Sequence, residues 1–183
     1  MQRYRTGWLI ALVCLWLAAP GWPHGGEIGG PSAAVLKRLF PAAESFVTRP
    51  LQLDAAAQKA VASRLGKPLE AHDLKSKAYI PVAKGQSLGV VWVTDAHLKE
   101  GLVDVVVGVD RQGTVVGVAL QHSPVAALAQ SAYLNQFKGQ PISTRLKQDR
   151  PLASNPAASR LVAQAVFKCA VVIDEAYLGG TKK

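Results

Sequence analysis

Apolar and polar residues follow two different periods along the chain. Val35, Leu36 and Leu39 recur at helical spacing behind Ser32, an N-cap residue type, and Pro41 closes a short helix that runs through residue 40. Phe46 and Val47 suggest a brief strand before Pro50. Asp54 then caps a predicted helix over 55–65, which Gly66 and Pro68 terminate. The period changes to two in the centre of the chain, where strands are predicted over 78–82, 88–93, 102–109 and 114–120. Asp110, Arg111, Gln112 and Gly113 join the last two as a tight hairpin, with Gly113 free to take positive φ. In the last strand strict alternation puts Val116, Val118 and Leu120 on one side and Val115, Gly117 and Ala119 on the other. The small residues on the second side leave room for a helix or a ligand to approach closely.

Beyond Pro124 the helical period returns over 126–137, and a loop rich in Gly, Pro and polar residues follows, from 139 to 150. Ser154, Asn155 and Pro156 open a long final helix, a capping pair followed by proline in the first turn. Leu161, Val162, Ala165, Val166, Cys169, Val172, Ile173 and Tyr177 mark its core stripe, and Gly179 and Gly180 end it. There is no internal repeat. This order of elements predicts an α+β fold, an antiparallel β-sheet packed by helices, including a long C-terminal helix.

The first residues do not belong to that pattern. Arg3 and Arg5 precede an apolar run from Gly7 to Ala19, which Pro20, Gly21 and Pro23 break. This is the grammar of an export signal, either cleaved near residue 21 or kept as an N-terminal anchor. Both place the domain in the periplasm or on the outer face of the cytoplasmic membrane. The chain then divides into a signal or anchor (1–21), a Gly/Pro-rich linker (22–31) and one domain (32–183), large enough to bury a core.

Composition narrows the chemistry. The net charge of +9 favours anionic partners. The basic residues are scattered, however, and no zinc-finger or RNA-binding signature appears, so nucleic acid is not the expected partner. Of the two cysteines, Cys14 lies in the leader and Cys169 in an apolar helical stretch. This excludes a disulfide-stapled scaffold and makes Cys169 a buried structural thiol. His24, His72, His97 and His122 show no metal-ligand spacing, so no metal is expected from them. Asp95, His97 and Glu100 read as a solvated turn, and Trp92 as core. No nucleophile–base pair or paired-carboxylate arrangement stands out. One feature does suit an anion: a helix N-terminus exposes unpaired N–H groups and partial positive charge. Ser154, Asn155 and Ser159 can add hydrogen bonds there and Arg160 a charge, although Pro156 removes one donor.

Several segments, in order, resemble the FMN-binding domain family of periplasmic flavin subunits in ion-pumping oxidoreductases and of nitrous-oxide-reduction regulators. They are Leu39-Phe40-Pro41-Ala42-Ala43-Glu44-Ser45-Phe46, the hairpin from Gly101 to Val118, the turn Gln121-His122-Ser123-Pro124, and Phe137-Lys138-Gly139-Gln140. The last is similar to the family's Phe-x-Gly-Lys stretch. The resemblance spans roughly residues 40–177. It departs from the family at the motif Ser-Gly-Ala-Thr-x-Thr/Ser, whose Thr hydroxyl can be esterified to the FMN phosphate. Here the chain reads Ala153-Ser154-Asn155-Pro156-Ala157-Ala158-Ser159-Arg160. The acceptor falls on Ala157 or Pro156, depending on the end from which the motif is aligned, and neither carries a hydroxyl.

The resemblance implies non-covalent FMN as cofactor, with its phosphate as the anionic ligand at Ser154, Asn155, Ser159 and Arg160. The flavin edge would lie at His122 and Ser123. It also implies electron transfer beside a membrane redox complex or an exported redox partner, with no substrate chemistry of the chain's own. The alternative is an accessory domain that kept the fold and lost the flavin.

Overall fold

The computed structural model describes residues 30–148 and 150–179; the segment expected to be a leader and most of the expected linker lie outside them. Six strands form one sheet: β1 (Ser45–Pro50), β2 (Lys77–Ala83), β3 (Gln86–Ser87), β4 (Gly89–Leu98), β5 (Gly101–Asp110) and β6 (Val115–Gln121). The spatial order is β1-β2-β4-β5-β6, with β3 paired to β2, and every pairing is antiparallel. The helices are α1 (Ala33–Leu39), α2 (Ala55–Leu65), α3 (Ala71–Leu74), α4 (Ser131–Leu134) and α5 (Pro156–Ile173). The fold is therefore α+β, with the long C-terminal helix against the sheet. Among the described residues no helix is long and apolar enough to cross a membrane.

The helix starts follow from local chemistry. Ser32 accepts from the Val35 amide, Asp54 from Ala57 and Asn155 from Ala158, each satisfying a first-turn donor that the helix itself leaves unpaired. Gly66 ends α2 in the left-handed conformation. The segment 126–137 is not one helix. It splits into a 3₁₀ turn (Ala126–Ala129), α4 and a second 3₁₀ turn (Asn135–Phe137). The following loop is stitched by two glutamines. Gln140 accepts from the Lys147 amide and donates to its carbonyl, and Gln136 does the same for Arg150.

Two cores lie on opposite faces of the sheet. The larger packs Val162, Val166, Cys169 and Ile173 of α5 on Trp92, Val103, Val105 and Val107. Leu161, expected in the helix's buried stripe, is instead 37% exposed. The smaller packs Leu36, Leu39 and Phe40 on Val91, Val93, Val106 and Ala119. The space left by small residues is thus filled by α1: a side chain at Gly117 would meet Leu39 at 2.9 Å, and one at Gly108 would meet Phe40 at 3.0 Å.

A register shift between Gly108 and Val109 breaks the alternation expected for β6. Val115 joins Val118 in the larger core, and Val116 packs with the smaller one. Strand β4 also runs five residues past its expected end, to Leu98. Its last residues pair only with β5, because β2 reaches no further than the Ala78–Trp92 pair. The free edge is covered by α3, whose Asp73 accepts from the Thr94 hydroxyl.

Candidate functional site

The two segments expected to hold a ligand each have a residue near the β4–β5 turn. Asn155 at the start of α5 donates from Nδ2 to Glu100 Oε1 at 3.1 Å. Pro124 lies against Gly101, the first residue of β5: its ring carbon is 3.8 Å from where a Gly101 side chain would begin. His122 leaves β6 in the left-handed conformation (φ 55°), and its Nδ1 lies 2.8 Å from Asp104 Oδ2 on β5. That contact matters to the sheet, because Asp104 sits directly opposite Asp95 across β4 and β5. Like charges in that position repel, and each carboxylate has an imidazole nitrogen 2.8 Å away.

The groups that remain available for a phosphate are few. Pro156 has no N–H, the Ala158 amide is taken by Asn155 Oδ1, and the Ser159 amide donates to the Asn155 carbonyl. The first turn of α5 therefore offers the Ala157 amide. Ser159 is fully buried. Its hydroxyl donates to the Asn155 carbonyl and accepts from the Leu152 amide, tying the preceding loop to the helix. Ser123 closes its own turn on Val125. Ser154, Arg160 and the His122 ring are exposed. Of the six expected contact residues, these three have side chains open to a ligand, while Ser123, Asn155 and Ser159 are held by the protein. Beneath the helix start, the Tyr133 hydroxyl donates to the Ser159 carbonyl at 2.7 Å and accepts from Gln148. Burial pushes this phenol up to about 12, against the opposing pull of its Ser159 and Gln148 hydrogen bonds.

A second polar group, which linear spacing gave no sign of, lies at the exposed edge of β4. Asp95 and His97 are strand residues rather than a solvated turn, and the Asp95 side chain is only 15% exposed. Asp95 Oδ1 is 3.2 Å from His72 Nε2, and Asp95 Oδ2 is 2.8 Å from His97 Nε2. His72 Nε2 is also 3.6 Å from Oδ1 of the fully buried Asp73. Asp73 Oδ2 in turn receives Lys168 Nζ of α5 at 2.6 Å and the Glu70 amide at 3.1 Å. Burial alone would raise the Asp95 carboxyl. A backbone hydrogen bond and the charges of His72, Lys168 and His97 outweigh it and hold the group below the usual carboxylate range.

A groove of about 870 Å³ runs beside this group, bordered by Asp95, His97, Lys168, Lys67, Arg145 and Leu161. The pair His72 and Asp73 comes from α3, and Asp95 and His97 from β4, 23 residues after His72 in the Asp95 contact. Only the packing of α3 on the strand edge brings them together.

Compared with models of known protein families the chain matches none, and comparison with curated proteins gives no match.

Proposed function

We propose that this protein is an exported FMN-binding domain that passes electrons at the outer face of the cytoplasmic membrane and holds its flavin without a covalent bond. One observation supports the reading: the start of α5 and the His122 turn, the two segments of the family resemblance that would touch flavin, each have a residue beside the β4–β5 turn, Asn155 on Glu100 and Pro124 near Gly101. The residues fit a phosphate held by few contacts. The Ala157 amide, Ser154 and Arg160 would bind it, and His122 would border the ring. The flavin, when bound, supplies the redox chemistry, and the chain positions it. Ala157 and Pro156 offer no hydroxyl for esterification, and the Ser159 hydroxyl is buried in its own hydrogen bonds.

The test is titration of the full chain with FMN, read by flavin fluorescence. Saturable quenching is expected, with all flavin released on acid precipitation and no flavin-sized increase in the mass of the chain. Arg160→Ala should weaken binding without changing the fold.

A second reading is favoured by a different observation. The first turn of α5 has most of its amides satisfied internally, and Asn155 and Ser159 are engaged. A domain that kept the architecture and docks to a redox partner without flavin would have that property. FMN that leaves no trace in the titration selects this reading.

A further inference from the structure

From the geometry at the edge of β4 we infer that His72, Asp73 and Asp95 form a binding site for a zinc-type divalent transition ion. The inference is independent of the flavin reading. One donor atom from each residue lies within 4.8 Å of the other two. The two separations from His72 Nε2 are 3.2 Å to Asp95 Oδ1 and 3.6 Å to Asp73 Oδ1. Ligands bound about 2.0–2.2 Å from a tetrahedral zinc lie about 3.3–3.6 Å apart, so the 3.6 Å edge falls in that range and the 3.2 Å edge just short of it. Three protein ligands leave the fourth position for water or a ligand donor.

The surroundings are those of a metal site as well. A metal-bound histidine usually gives its other ring nitrogen to a carboxylate, and His72 Nδ1 lies 3.5 Å from Glu70 Oε2. Each carboxylate ligand has its second oxygen oriented by a separate group. Lys168 and the Glu70 amide hold Asp73 Oδ2, and His97 holds Asp95 Oδ2. Glu70, Asp73 and Asp95 supply the carboxylates nearest His72, with Lys168 on Asp73; Lys67 and Arg145 border the groove beyond them. The nitrogen donor selects the ion class: Ca²⁺ and Mg²⁺ take oxygen ligands, whereas imidazole with carboxylate suits zinc and its neighbours.

The experiment uses the full, untagged chain stripped with a chelator. Zn²⁺ is titrated in competition with a chromophoric chelator, and Co²⁺ is added separately as a spectroscopic probe. The expected result is one tight equivalent of zinc per chain and a Co²⁺ spectrum with the intense visible bands of tetrahedral coordination. His72→Ala and Asp95→Asn should each weaken binding by about 10–100-fold or more. Arg111→Ala, in the exposed β5–β6 hairpin, should leave binding intact. Because the His72–Asp95 contact also joins α3 to β4, the melting point of each metal-free variant is measured beside that of the metal-free parent. If one variant fails to fold, the other carries the test. Absence of stoichiometric uptake, or uptake that both substitutions leave unchanged, overturns the site.

Discussion

Cys169 shows how a reactive group is silenced by its surroundings. It is fully buried under the sheet, with Sγ facing the carbonyls of Val105 and Trp92 at 3.8 and 4.0 Å. Burial pushes its thiol far up, out of the range where a thiolate forms at neutral pH. Cys169 should therefore resist a thiol-specific reagent at pH 8 in the native protein and react only in denaturant; rapid labelling of Cys169 in the native protein would contradict the packing. The apolar run around it made this burial legible from the sequence. Tyr133 is the titrating counterpart. Its phenol is raised from 10 to about 12 in the folded chain, so the native state keeps the proton in a range where the unfolded chain loses it. The stability it contributes is complete below pH 10 and is lost as pH rises towards 12. Tyr133→Phe should flatten that alkaline decline in a series of chemical melts, because no phenol remains to ionise there.

At the level of helices and strands, the clearest joint is Arg64. From the last turn of α2 it reaches Asp174 Oδ2 at 2.7 Å, Glu175 Oε1 at 2.9 Å and the Ile142 carbonyl at 3.0 Å. It thereby fastens α2 and the 141–144 loop to the π-helical turn that follows α5 (Asp174–Leu178). Asp174 is nearly buried, so Arg64→Ala leaves a carboxylate without its partner. We expect a loss of about 1–3 kcal/mol, discounted for the partial exposure of the arginine, in urea denaturation. A change below about 0.5 kcal/mol would mean that the joint is not structural.

The starts of α1, α2 and α5 were legible because one side chain decides each: Ser32, Asp54 and Asn155 all cap as their residue types predict. The far end of β4 was not legible. Thr94, Asp95 and His97 have the polarity of a loop, and a strand survives there because β5 pairs one edge while α3 supplies hydrogen-bonding partners at the other. The alternation in β6 failed for a related reason. A bulge is set by pairing to β5, and nothing local to residues 115–120 announces it.

Across the whole molecule, the two candidate sites involve different helices packed on one sheet. The α5 side carries the segment resembling a flavin-binding motif, and the α3 edge carries the His72 group. Of the first, the helix cap at Asn155 was legible, and the flavin contacts were expected from the family resemblance alone. What the sequence did not disclose is that the cap residues are consumed by the fold itself: Asn155 by Ala158 and Glu100, Ser159 by Leu152 and its own turn. The second was invisible because its ligating atoms converge only after two distant segments pack. The export signal expected over 1–21 lies outside the described residues. Amide chemical-shift mapping of the isotope-labelled full chain during FMN addition bears most directly on the flavin proposal. The shifts should saturate and concentrate at His122, Ser123 and residues 153–160, with the β4–β5 turn moving alongside them. Shifts confined to other surfaces, or none at saturating FMN, would contradict it.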